Sequence, residues 1–134
     1  MPDSVELVES FWDRVWNAHD PDAVDDFVVE DFVITNAGTR IEGRENFKAW
    51  IRAFLDQVHD LELEVVETFQ NQDGSRVASR WKVHGRNNGV LGTEPDGRRI
   101  SFSGTAVWEI EDGRLVHNHV ERASWELYQR LTTA

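Results

Sequence analysis

The chain has 134 residues, enough to bury one core, and its 40% hydrophobic and 29% charged content is that of an ordinary folded domain. Its net charge of −11, from 25 acidic against 14 basic side chains, repels phosphate backbones and argues against a nucleic-acid partner. With no cysteine, disulfides, thiolate metal sites and a cysteine nucleophile are excluded, and no apolar run approaches the roughly 18 residues of a membrane span.

The N-terminus, Met-Pro-Asp-Ser-Val-Glu, lacks the basic start and apolar stretch of a signal peptide, so a cytoplasmic location is expected. There is no internal repeat, low-complexity run or linker, and residues 1–134 are expected to form one domain.

Ser4 to about Ala18 predicts a helix, because Val5, Val8, Phe11, Trp12, Val15 and Trp16 recur at three- and four-residue spacing. Asp20-Pro21 starts a second, short helix, with Asp20 as its cap. Phe32 to Thr35 is rich in β-formers, and Asn36-Ala-Gly38 is a turn. Gly43 to about Gln57 is a third helix, with Phe47, Trp50, Ile51 and Phe54 on one side. The period then becomes two. Strands are predicted from Leu61 to Gln70, Val77 to His84, Arg99 to Ile110 and Arg114 to Arg122. Asn71–Gly74 and Glu111–Gly113 are tight turns, 87–97 is a Gly-bearing loop, and Trp125 to Leu131 forms a terminal helical turn. Helices first and a strand meander after them indicate an α+β fold, a curved antiparallel sheet wrapped around three helices with a pocket open at one end.

Two features carry chemistry. Six tryptophans are many for this length. Trp12, Trp16, Trp50, Trp81 and Trp108 either fill the core or wall a site for a flat apolar ligand. In the last strand, alternation puts His117, His119 and Glu121 on one face and Asn118, Val120 and Arg122 on the other. Two histidines and a carboxylate are a possible metal set, though strand histidines facing a second subunit are commoner, and no metal is assigned. His84, at a strand end, is the histidine placed near a pocket mouth. The 85–97 loop has no phosphate-binding Gly spacing and reads as a flap.

Arg80-Trp81, the Gly85–Gly89 run, Gly92, Pro95-Asp-Gly-Arg98, Phe102-Ser-Gly104 and the Glu111–Leu115 run, in this order of elements, resemble the SnoaL-like polyketide cyclases of the nuclear-transport-factor-2-like (NTF2-like) superfamily. The resemblance covers nearly the whole chain and implies an NTF2-like α+β cone. It also implies an inward face carrying Asn118, Val120 and Arg122. Cyclase-type members use a histidine after the Arg-Trp strand and an aspartate late in the last strand; Asn87 and Val120 stand at those positions. The acid/base pair of an aldol cyclase is therefore missing, and a one-residue shift that brought Glu121 into place would also flip its face. The resemblance then implies a cofactor-independent enzyme for a hydrophobic, aromatic polyketide-type small molecule, doing hydroxylation-related or isomerase-type tailoring. Asn36, Asn87, Asn118 and Arg122 would polarise the substrate, held by the five tryptophans, His84 and Val120. A non-catalytic ligand-binding or assembly protein is the alternative, and a metal-assisted enzyme on His117, His119 and Glu121 a third reading. A homodimer through the outer sheet face is expected.

Overall fold

In the computed structural model, which describes residues 3–133, the first predicted helix divides in two. Helix α1 spans Ser4–Phe11 and is capped by Asp3, whose carboxylate accepts from the Glu6 N–H at 3.0 Å. The chain then widens into a π-helical turn, Trp12–Asn17, where the N–H groups of Ala18 and Asp20 reach back five residues to Asp13 and Val15. Asn17 clamps this turn to the sheet. Its Nδ2 donates to the Leu63 carbonyl at 3.0 Å and its Oδ1 accepts from the Leu63 N–H at 2.7 Å.

Pro21–Asp26 is a 3-10 helix with Pro21 at its start. Helix α2, Arg44–Gln57, turns Phe47, Ile51 and Phe54 inward. Its buried Lys48 donates to Asp25 at 3.1 Å and so ties α2 to the 3-10 segment. The Asp25 hydrogen bond is the largest influence on Lys48 and raises its pKa. A last helix, α3, covers Ser124–Thr132. Among the described residues no helix is long and apolar enough to cross a membrane.

Six strands form one sheet: β1 Val28–Asn36, β2 Thr39–Glu42, β3 Val58–Gln70, β4 Arg76–Asn87, β5 Arg99–Glu111 and β6 Arg114–Arg122. Their order is β2-β1-β6-β5-β4-β3. The sheet is mixed and not antiparallel throughout, because β6 inserts between β5 and β1 and runs parallel to β1. The intervening chain, helix and meander included, is long enough to make a parallel pairing possible. Strand β2 is an addition to the predicted elements. It closes a hairpin on β1 through Ala37 (φ 50) and Gly38 (φ 85), both left-handed as a two-residue turn of this twist requires.

Helices α1 and α2 lie against the concave face. Phe11, Val15, Phe32, Phe47 and Trp108 form the centre of the core, all essentially inaccessible to solvent. Phe11 meets Trp108 edge-on at 4.9 Å between ring centroids, and Phe32 and Phe47 lie 4.6 Å apart.

Candidate active site

A cavity opens where the central strand has too little side chain to fill the concave face. Across β4, β5 and β6, one row reads Trp81, Gly104, Arg122 and the next reads Ser79, Ala106, Val120. A Cβ on Gly104 would lie 2.4 Å from the Trp81 ring, so the indole lies over a bare backbone. Trp12 and Trp16, one turn apart in the π-helical segment, close the cavity from the helix side together with Trp50 and Phe54 of α2. Asn118, Val120 and Arg122 of β6 line it from below, and Phe102, Leu63 and Val83 complete the sheet wall. The unfilled space is about 400 Å³ including the open mouth, but the part wide enough for a water centre to move in is only about 30 Å³. The site is a slot between rings.

Its polar groups are few and mostly unpartnered. Trp12 Nε1 donates to Ser79 Oγ at 3.0 Å. Trp81 Nε1, Asn118 Oδ1 and Arg122 Nε are buried without a hydrogen-bond partner among the described residues. Asn118 is 4% exposed. The Arg122 guanidinium lies over Phe54 at 4.9 Å and Trp50 at 5.3 Å, with no ion pair among the described residues. Burial lowers its pKa to about 10, so it remains a cation at neutral pH. Among the described residues no carboxylate, histidine or lysine lines the cavity. The arrangement can bind and stabilise negative charge on a ligand oxygen, but it offers no side chain that takes up a proton near neutral pH.

Arg122 also borders a groove under Val90, Leu91 and Gly92, so it stands at the mouth. Gly89 (φ 93), Leu91 (φ 58) and Gly92 (φ 74) give this loop its left-handed bends.

Of the residues predicted from sequence, Trp12, Trp16, Trp50, Trp81, Asn118, Val120 and Arg122 come together on the cavity. Four others do not. Trp108 is wholly buried behind the lining, packed on Phe11, Trp12 and Phe32. His84 alternates with inward Trp81 and Val83, so it faces outward, with Nε2 3.0 Å from Glu64 Oε1. Asn36 is half-buried at the end of β1, outside the lining. Asn87 is turned into its own loop. Its Nδ2 donates to the Glu94 carbonyl at 2.8 Å, and its Oδ1 accepts from the N–H groups of Val90 at 2.9 Å and Gly89 at 3.1 Å. Phe54 and Phe102 were missed as lining residues, although their inward phase on a helix and a strand was readable.

On the outer face, His117 and His119 stack with centroids 3.9 Å apart. The carboxylate that joins them is Glu109, not Glu121, since Glu109 lies across from His117 on β5. Glu109 accepts from His119 Nε2 at 2.6 Å, and Thr35 Oγ1 is 2.9 Å from His117 Nε2. The hydrogen bond from His119 holds the Glu109 carboxyl below its usual pKa. Burial, and then the neighbouring His119, lower that of His117.

The SnoaL-like domain family matches residues 8–118. The chain belongs to that family. Among solved structures, a protein assigned as a SnoaL-like polyketide cyclase from Jannaschia sp. CCS1 superposes with a TM-score of 0.88 at 18% identity, over 98% of this chain and 92% of the other. TsrD from Streptomyces laurentii gives 0.81 at 28% identity, over 96% and 93%. AclR from Streptomyces galilaeus, assigned as a hydroxylase, gives 0.82 at 21% identity, over 98% and 97%. No curated protein sequence matches. These likenesses establish the NTF2-like cone for this SnoaL-like chain. They leave its chemistry to the cavity, where Val120 is aliphatic and which Asn87, held in its own loop, does not line.

Proposed function

We propose that this SnoaL-like protein is an enzyme that takes a hydrophobic, ring-bearing carbonyl compound of the aromatic polyketide type into the slot and stabilises its enolate, in isomerase-type or hydroxylation-related tailoring. The observation that carries this reading is the half-buried cation of Arg122, without an ion pair among the described residues, in a cavity whose other unpartnered polar atoms are Trp81 Nε1 and Asn118 Oδ1. Donors fixed in a dry site stabilise developing negative charge without reorganising. The proton leaves to water or to the substrate's own oxygens, so the reaction suits a carbon acid already activated by its ring system.

Exchange of the α-hydrogens of 2-tetralone in D2O, followed by NMR, tests this. The wild type should accelerate exchange, and Arg122→Gln should lose about 10²-fold of the acceleration, as for loss of one oxyanion donor. No acceleration by the wild type counts against enolate chemistry. The lack, among the described residues, of a proton-accepting side chain in the lining favours a second reading, a non-catalytic binder. Native mass spectrometry showing 2-tetralone bound but unexchanged would select it.

We also propose a homodimer through the outer sheet face, supported by Val107, 39% exposed on that face across from His119. Sedimentation at micromolar concentration should show a dimer, and a monomer would count against it.

A further inference from the structure

The polar atoms of the cavity are ordered along its length. Asn118 and Arg122 are four residues apart on β6, so their Cα atoms are about 13 Å apart at about 3.3 Å per residue. Asn118 is at the deep end, across from Trp108 and beside Ile34. Arg122 is at the mouth, over Phe54 and bordering the groove under the flap. Trp81 shares the Arg122 row through Gly104. The two ends want opposite partners. Asn118 Oδ1 only accepts, so it needs a donor, while Arg122 and Trp81 Nε1 only donate and need an acceptor. Side chains on one strand face project in parallel, so the two ends stay about 13 Å apart, the span of a two-ring compound with an oxygen at each end; with only about 30 Å³ free, such a ligand enters as the Trp12, Trp16 and Trp50 rings swing apart.

From this order we infer that the ligand is a two-ring aromatic compound bearing an ionised oxygen at the mouth end, on Arg122, and a hydroxyl at the deep end, on Asn118. The ionised oxygen is a carboxylate or an acidic enol. The inference rests on the ligand-binding part of the function proposed above. It adds charge, length and direction to the ligand. The anion supplies the counter-charge that Arg122 lacks among the described residues, and the hydroxyl satisfies an oxygen otherwise left buried and unpaired.

Calorimetric titration with chosen probes decides it. 6-Hydroxy-2-naphthoate should bind the wild type at least about tenfold more tightly than its methyl ester, the factor that one charge-assisted hydrogen bond gives. Arg122→Gln should bring the two within about twofold. 2-Naphthoate, lacking the hydroxyl, should bind several-fold more weakly than 6-hydroxy-2-naphthoate, and Asn118→Leu should erase that difference. 2-Hydroxy-1,4-naphthoquinone against its neutral methoxy analogue tests the enol source in the same way, and a preference in one series only tells carboxylate from enol. If a variant fails to fold, the wild-type probe series still decides the matter. An ester bound as tightly as its acid in both series overturns the inference, as does a charge preference that survives in Arg122→Gln. Neutral 2-methylnaphthalene binding with no gain from charge would sink this inference alone. Failure of every probe to bind would sink the ligand-binding cavity with it.

Discussion

His117 sits where an outward strand face meets partial burial, and its environment resists protonation. Its pKa is lowered first by burial and then by His119 and Arg40, against the opposing pull of Glu109. The unfolded chain therefore takes up this proton before the folded one does. The stability His117 contributes is complete above its unfolded value, near about 6.5, and falls as pH drops from there through the lower folded value. Glu109 follows at lower pH. Its carboxyl is held below the ordinary range, so its contribution persists above the unfolded pKa and is lost as pH falls through the folded one. The urea midpoint should fall as pH drops below about 6.5 in the wild type and fall less in His117→Gln. Parallel declines in the two proteins would refute this. That the partner is Glu109 was not legible in one strand's alternation, because a cross-strand neighbour appears only once β5 and β6 are in register. Asn87 misled in another way. A polar amide beside glycines reads equally as a ligand contact or as the peg of its own loop, and five of its hydrogen bonds, to loop residues from Gly89 to Asp96, make it the peg.

Strand β5 decides that there is a cavity at all, through what it omits. Gly104→Ala must push the Trp81 ring aside, with a destabilisation of about 1–3 kcal/mol and weaker binding of 6-hydroxy-2-naphthoate. Gly85→Ala is the control. Its Cβ would meet Val58 at 2.5 Å and the His59 carbonyl at 2.9 Å, away from the slot, so it should destabilise while leaving ligand affinity near wild type. Chemical denaturation and calorimetry on both proteins separate the effects, and an unchanged affinity in Gly104→Ala would deny that the Trp81 ring position shapes the slot. The helices and long strands were legible because their apolar residues keep one period over many positions, and β6 has the bounds read from its alternation. The π-helical turn was not legible, since Trp12, Val15 and Trp16 fit a 3.6-residue period equally well. Strand β2 was missed because Thr39-Arg-Ile-Glu42 holds one apolar residue and is recruited by pairing with β1.

The molecule as a whole is strongly acidic, yet the slot holds a cation. These act at different ranges. The net charge of −11 repels an approaching anion from afar, while Arg122 attracts it only at contact. Added salt should therefore raise the association rate of 6-hydroxy-2-naphthoate by screening the repulsion, and the less screened contact at Arg122 should change the dissociation rate little. Stopped-flow quenching of tryptophan emission measures both, and an association rate that falls with salt would contradict the picture. The sheet order adds a consequence in time. Because β6 lies between β5 and β1, the β1–β2 hairpin and the β3–β4–β5 meander have no common edge until the last strand arrives. Joining the two half-sheets closes contacts of long sequence separation, the slow kind to form in folding. Asn118 and Arg122 are thus delivered by the same strand that joins the half-sheets, so competence for ligand and completion of the sheet arrive as one event.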